Sequence, residues 1–302
     1  MAGQGKLSGA PALTRRGLAR EISRIANAPV AEVLAAIATT ASAGFRIGIT
    51  GPPGAGKSSL IAELVRHRLK RDGNLAVVAV DPTSPVSGGA ILGDRIRMAE
   101  LATDPRVYIR SLASRDSVDG LADNLPSVLD LLAARGFPEI LVETVGVGQV
   151  EYEVRRLVDT MILVVIPGAG DQIQAMKAGV LETADIIVVN KADLPGSQRL
   201  RAELSSVLER RAPPSGSWSP RLVSTAANDP ASYGGLSDAI DDHRAWLAQS
   251  DRHVAVLADR KRHQVASLVV RRLHEVTAEL SAASLETPLA RLYEEVVRSL
   301  LV

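Results

Sequence analysis

A chain of 302 residues with 46 % hydrophobic content is long enough for one large domain with appendages or for two modest domains, and apolar enough to fill a core. Acidic and basic side chains nearly cancel, leaving a formal net charge of +1, so composition gives no electrostatic case for a nucleic-acid or membrane-surface partner. The absence of cysteine excludes disulfides, thiolate zinc sites and thiol catalysis together. No apolar run reaches the roughly 18 residues of a membrane span, and Met1 to Ala12 lacks the apolar centre of a signal peptide, so a soluble cytoplasmic protein is expected.

Residues 1–12, rich in Gly, Ala and Pro, are predicted to be a flexible tail. Thr14 can cap a first helix carrying Leu18, Ile22 and Ile25, and Pro29 opens a second with Val30, Val33, Leu34 and Ile37. Tail and helices together form an arm over residues 1–42. From Phe45, strands alternate with helices. The predicted strands are Phe45–Thr50, Leu75–Val80, Val107–Leu112, Ile140–Thr144, Thr160–Ile166, Asp185–Val189 and Arg221–Ser224. The predicted helices include Lys57–Arg71, Ile91–Ala102, Val118–Arg135, Gln172–Thr183, Gln198–Arg211 and Leu236–Gln249.

Near-continuous Val/Ile/Leu strands between helices imply an α/β fold, a doubly wound three-layer sandwich with a mainly parallel sheet over residues 43–250, which the phosphate-loop pattern at Gly51–Ser58 makes a P-loop NTPase sandwich. Beyond Ser250 only helical patterns remain. One long helix carries Val254, Leu257, Val265, Leu268, Val269 and Val276, with Arg260-Lys261-Arg262 expected on a solvated face. A second, after Pro288, carries Leu289, Leu292, Val296 and Leu300. This 251–302 extension either packs on the sheet domain or dimerises.

In such folds ligands bind at the carboxyl ends of the strands. The first strand ends in Gly51-Pro52-Pro53-Gly54-Ala55-Gly56-Lys57-Ser58-Ser59, which fits G-x-x-x-x-G-K-[ST] between a strand and a helix. The glycines let backbone N–H groups face phosphate oxygens, Lys57 brings charge to the β- and γ-phosphates, and the Ser58 hydroxyl can ligate Mg²⁺. The second strand ends in Asp81, followed by a Gly/Ser/Pro-rich loop reaching Asp94; these carboxylates can hold Mg²⁺ directly or through water while the loop moves. The fourth strand ends in Glu143-Thr144-Val145-Gly146, where a carboxylate addresses the metal and the Gly146 N–H the γ-phosphate; Gln149 is a candidate for orienting the attacking water.

The sixth strand ends in Asn190-Lys191-Ala192-Asp193. An Asp193 carboxylate can accept from both N1–H and the exocyclic amine of guanine, a pair of donors adenine lacks, so GTP is favoured over ATP. Asn190 can fix the loop and reach the purine edge, and the Lys191 stem can cover the base. Ser224-Thr225-Ala226-Ala227 suits a backbone N–H contact to the guanine carbonyl oxygen. His67, His243, His253, His263 and His274 show no ligand spacing, and Trp218 and Trp246 are expected to pack.

Taken in order, Gly51–Ser58, Val80–Ser84, Gly88–Asp94, Val142–Gln149, Pro167–Asp171 and Asn190–Asp193 closely resemble the methylmalonyl-CoA mutase-associated GTPase family, once labelled arginine/ornithine transport kinases. The resemblance covers roughly residues 14–280. It implies a GTPase chaperone that protects or reloads an adenosylcobalamin-dependent acyl-CoA mutase, and a homodimer built largely on the C-terminal helices. By position it implies Asp81, Asp94 and Glu143 as the Mg²⁺ environment and Gly168–Gly179 as a third switch facing the mutase. The expected reaction is in-line attack of water on GTP, giving GDP and phosphate, with Lys57, Asp94, Glu143 and Gln149 as the catalytic candidates. The alternatives are a metallochaperone-type GTPase, against which the lack of Cys and of a His-rich tract argues; a partition-type ATPase, against which Pro52 argues; a transport-related kinase; and a scaffold with structural nucleotide.

Overall fold

The computed structural model describes residues 14–37, 44–71, 73–82, 98, 100–114, 124–144, 150–168, 180–210, 216–249, 251–281, 284 and 286–300. The strands are β1 (Phe45–Thr50), β2 (Leu75–Pro82), β3 (Val107–Ser114), β4 (Glu139–Thr144), β5 (Thr160–Val165), β6 (Ile186–Asn190) and β7 (Arg221–Thr225). They form one seven-stranded sheet in the order β3-β2-β4-β1-β5-β6-β7, with every neighbouring pair parallel. Register brings the functional segments to one edge: Ile49 lies opposite Glu143, Thr50 opposite Leu163, and Asn190 opposite Thr225.

The helices are α1 (Arg15–Asn27), α2 (Val30–Ile37), α3 (Lys57–Arg68), α4 (Leu125–Ala134), α5 (Val150–Arg155), α6 (Val180–Thr183), α7 (Ser197–Arg210), α8 (Ser232–Ala248), α9 (Arg252–Ala278) and α10 (Leu289–Ser299). Alternation within the central strands splits the core between the two faces. Phe45, Ile47 and Ile49 join Leu60, Leu64, Leu236 and Ile240 of α3 and α8. Ala76, Val78, Ile140 and Val142 join Leu18, Ile22, Ile25, Val128 and Leu132 of α1 and α4. The Thr14 hydroxyl caps α1 by accepting the Gly17 N–H at 3.2 Å. The predicted helices 91–102 and 172–183 lie largely outside the described residues, and within them Leu101–Thr103 is a 3₁₀ turn.

At the edge opposite the strand ends, charge is buried in pairs. Asp159, just before β5, accepts the Arg46 N–H at 2.7 Å and binds the Arg260 guanidinium of α9. The Arg46 guanidinium bonds Asp130, which also accepts Gln264 Nε2 at 3.0 Å. Burial, with the nearby Arg260 charge, pushes the Arg46 guanidinium down to about 10, against the pull of Asp130 and Asp159. Arg260 is only 5 % exposed, which corrects its placement on a solvated face. The Arg260-Lys261-Arg262 run looks solvated because the acceptor lies 101 residues away in sequence.

Three of the five histidines also face carboxylates, although their spacing gave no hint of it. Among the described residues, His253 and His263 face Asp159 and Glu153, at 3.7 and 3.6 Å. His243 is buried, with Nδ1 2.8 Å from Thr160 Oγ1 and Nε2 3.4 Å from Asp185 Oδ1. That second distance would suit an ion pair, but burial, reinforced by the Arg155 charge, pushes the imidazole down to about 3, so the contact is a neutral one. Burial raises Asp185 to about 6 despite Arg155 and the Met161 N–H. Trp218 and Trp246 pack as expected, with ring centroids 4.6 and 5.6 Å from the His243 ring.

Arg260→Met should cost about 3 kcal/mol in urea unfolding, because it strips a partner from a buried carboxylate; a loss under about 0.5 kcal/mol would mark a solvated side chain. The pH dependence has two opposed parts. The stability that comes from keeping His243 neutral is complete above its ordinary 6.5 and is lost as pH falls toward 3. Asp185, raised to about 6, instead gains stability as pH falls from 6 toward 3.8. His243→Gln removes only the first part, so its stability relative to the parent should rise between pH 6.5 and 4.5. Parallel stability curves for the two proteins would contradict a buried neutral ring.

Candidate functional site

The loop between β1 and α3 sits at the centre of the strand-end edge. Gly51 has φ 149°, and a Cβ there would stand 2.3 Å from the Val164 carbonyl oxygen of β5. Gly56 has φ 83° and directly precedes α3; a Cβ there would stand 2.7 Å from Asn190 Nδ2. Only glycine satisfies both the left-handed backbone and the close approach of β5 and β6. Lys57 is buried, and its ammonium donates to the Gly51 carbonyl at 2.8 Å and the Pro52 carbonyl at 3.2 Å, so its charge is held across its own loop. Pro53, Gly54 and Ser59 are exposed, whereas Ala55 is buried.

Ser58 and Glu143, far apart in sequence, meet: the buried Ser58 hydroxyl donates to Glu143 Oε1 at 2.9 Å. A hydroxyl and a carboxylate side by side beside a phosphate loop are hard oxygen donors, which suits a small divalent cation. Asp81 lies at the same edge, its backbone opposite Ala113 at the end of β2. The Asp81 side chain, Asp94, Gly146, Gln149 and residues 169–179 lie outside the described residues.

The Asn190–Asp193 segment is fastened to the phosphate loop. Asn190 Nδ2 donates to the Ala55 carbonyl at 2.7 Å, and Asn190 Oδ1 accepts from Thr225 Oγ1 at 3.0 Å. Lys191, in the left-handed region at φ 54°, donates from Nζ to the Gly54 carbonyl at 2.9 Å. The Ala192 N–H donates to the Thr225 carbonyl at 3.0 Å, tying the segment to β7. Asp193 is exposed beside this frame. Burial, with the charges of Glu63 and Asp193, raises the Tyr233 phenol in the first turn of α8. Of the β7 candidates, the Ser224 hydroxyl accepts from Arg201 at 2.9 Å, and the Ala226 N–H donates to Ser232 Oγ at 3.2 Å. Ser232 was not visible as a site residue; the one available signal was a serine opening a helix after Pro230.

One edge thus joins a phosphate loop, a paired hydroxyl and carboxylate, and an Asn-Lys-x-Asp segment latched to that loop. The sequence matches the methylmalonyl Co-A mutase-associated GTPase MeaB family over residues 18–282. The chain belongs to that family. It is a GTPase, binding guanine nucleotide and hydrolysing GTP. A Pyrococcus abyssi relative is 39 % identical over 289 residues, covering 94 % of this chain and 87 % of its own length. GTPase ArgK of Escherichia coli is 38 % identical over 218 residues, covering 69 % of this chain and 64 % of its own length. A solved LAO/AO transport system kinase shares the fold, with TM-score 0.60 and 22 % identity over 96 % of this chain and 99 % of that one.

Asn190→Ala should raise the dissociation constant for GDP about tenfold or more, because it frees both the Ala55 carbonyl and the base segment. Thr225→Val, which removes one oriented hydrogen bond, should raise it about fivefold. Fluorescent-nucleotide titration reads both; parental affinity in either variant would contradict the latch.

Proposed function

We propose that this MeaB-family GTPase is a guanine-nucleotide switch that chaperones an adenosylcobalamin-dependent acyl-CoA mutase. The family to which the chain belongs carries the mutase part of this reading. The contact between Ser58 and Glu143 carries the chemical part. Ser58 and Glu143, with Asp81 and Asp94, would hold Mg²⁺ beside the phosphate loop, where the ion would supply positive charge to offset that of the transferring phosphoryl group. Lys57 leaves the Gly51 and Pro52 carbonyls for the β- and γ-phosphate oxygens, and the loop N–H groups orient the same oxygens for in-line attack by water. Gly146 reports the γ-phosphate, and Gln149 orients the water. Asp193 reads the guanine edge.

The C-terminal helices form a homodimer interface in this reading. Val265, Val269, Val270 and Leu273 of α9 are exposed, as are Leu289 and Tyr293 of α10. Such a surface favours a partner over solvent.

Lys57→Ala should abolish most GTP turnover, and parental turnover would overturn the assignment of the loop. Asp193→Asn should shift preference toward xanthosine nucleotides, read by competition binding. In pull-downs with purified methylmalonyl-CoA mutase, retention should differ between GDP and a nonhydrolysable GTP analogue; equal or absent retention would contradict the chaperone role. Val269→Asp with Leu273→Asp should give a monomer in sedimentation, whereas an unchanged mass would place any interface elsewhere.

A further inference from the structure

The turn between β7 and α8 is closed by one hydroxyl. Ser232 Oγ accepts the Ala226 N–H at 3.2 Å and donates to the Asp229 carbonyl at 2.5 Å. The same turn has Asp229 N–H donating to the Ala226 carbonyl at 3.1 Å and Ala231 N–H donating to Asp229 Oδ1 at 3.2 Å. Ala226 itself is buried. The turn begins one residue beyond Thr225, which holds both Asn190 and the Ala192 N–H. Ser232 is followed by Tyr233, whose phenol feels the Asp193 charge. The turn therefore adjoins the Asn190–Asp193 segment through Thr225.

The hydroxyl occupies one of the two amides that directly follow β7. The Ala226 N–H is spent on Ser232, whereas Ala227 is exposed and none of the described residues accepts its N–H. We propose that Ser232 is a positioning residue for guanine: by holding the Ala226 amide inward, it presents the Ala227 N–H to the guanine 6-carbonyl oxygen. This rests on the guanine-nucleotide reading of the site and adds a residue that acts through another. A site built to donate to an oxygen rejects the analogue that lacks it. The Ser232 hydroxyl thus contributes to selectivity rather than to phosphate binding.

The test compares GDP with 2-aminopurine riboside diphosphate, which keeps the 2-amino group and lacks both the 6-oxygen and the N1–H, so the effect of each variant is read against the parent for each ligand separately. In calorimetric titration, Ser232→Ala should weaken GDP about fivefold and leave the analogue unchanged. Ser232→Thr, which keeps the hydroxyl, should restore parental discrimination. Ala227→Pro, which deletes the donor itself, should weaken GDP alone. Equal weakening of both ligands by Ser232→Ala, no weakening of either, or parental discrimination in Ala227→Pro would overturn the inference. Ser232→Thr behaving like Ser232→Ala would overturn it too. A parent chain that binds both ligands alike would instead overturn the guanine reading itself, and this inference with it.

Discussion

The Asn190 side chain is the constraint on which the site depends. Its amide nitrogen holds the Ala55 carbonyl of the phosphate loop, and its oxygen is held by Thr225. One buried side chain therefore ties the Asn190–Asp193 segment, proposed to read the base, to the Gly51–Ser58 loop, proposed to hold the phosphates. A buried amide with both ends satisfied has no lower-energy rotamer available, whereas one left half satisfied costs about 1–3 kcal/mol. Lys191 adds a second tie at Gly54, and the Gly56 backbone can pass Asn190 only because it lacks a Cβ. In the proposed nucleotide site, the Asn190–Asp193 segment and the Gly51–Ser58 loop are thus held together before any ligand binds, which lowers the ordering cost of those two segments.

The opposite edge of the sheet is held by charge. Asp159 links the start of β1 to α9, and Arg155, the last residue of α5, lies 3.0 Å from Asp185 just before β6. Pairs of this kind give little net stability against an apolar substitute, but they tolerate poorly the loss of one member. Their role here is positional. The C-terminal helix α9 is docked onto the sheet through Arg260, and its Glu275 carboxylate accepts the Val30 N–H that opens α2. Strand ends and helix are therefore referenced to the same parallel frame, with the candidate nucleotide site at one edge and the charged contacts at the other.

Much of this frame was legible in the sequence. The strands buried on both faces declared themselves as Val/Ile/Leu runs, and the phosphate loop and Asn190–Asp193 are local patterns whose chemistry is spelled out in adjacent residues. Strand ends differed by only one or two residues: β2 and β3 run on to Pro82 and Ser114, and β6 begins at Ile186 rather than Asp185. The hidden features depend on residues distant in sequence. Arg260 carries no mark that Asp159 awaits it, and His243 none that Asp185 and Trp218 surround it. Ser58 and Glu143 were each visible as metal candidates, but only parallel pairing of β1 with β4 brings them into contact. Ser232 was hidden because a serine at a helix start usually does no more than cap it.

The central claim is that base and phosphate recognition are one mechanical unit through Asn190. A double-mutant cycle on GDP affinity with Asn190→Ala and Thr225→Val tests it most directly. Once Asn190 is gone, the Thr225 hydroxyl has nothing to orient, so the second substitution should add almost nothing and the coupling should be about 1 kcal/mol. Additive losses from the two substitutions would mean that Asn190 and Thr225 act separately, and the unit described here would not exist.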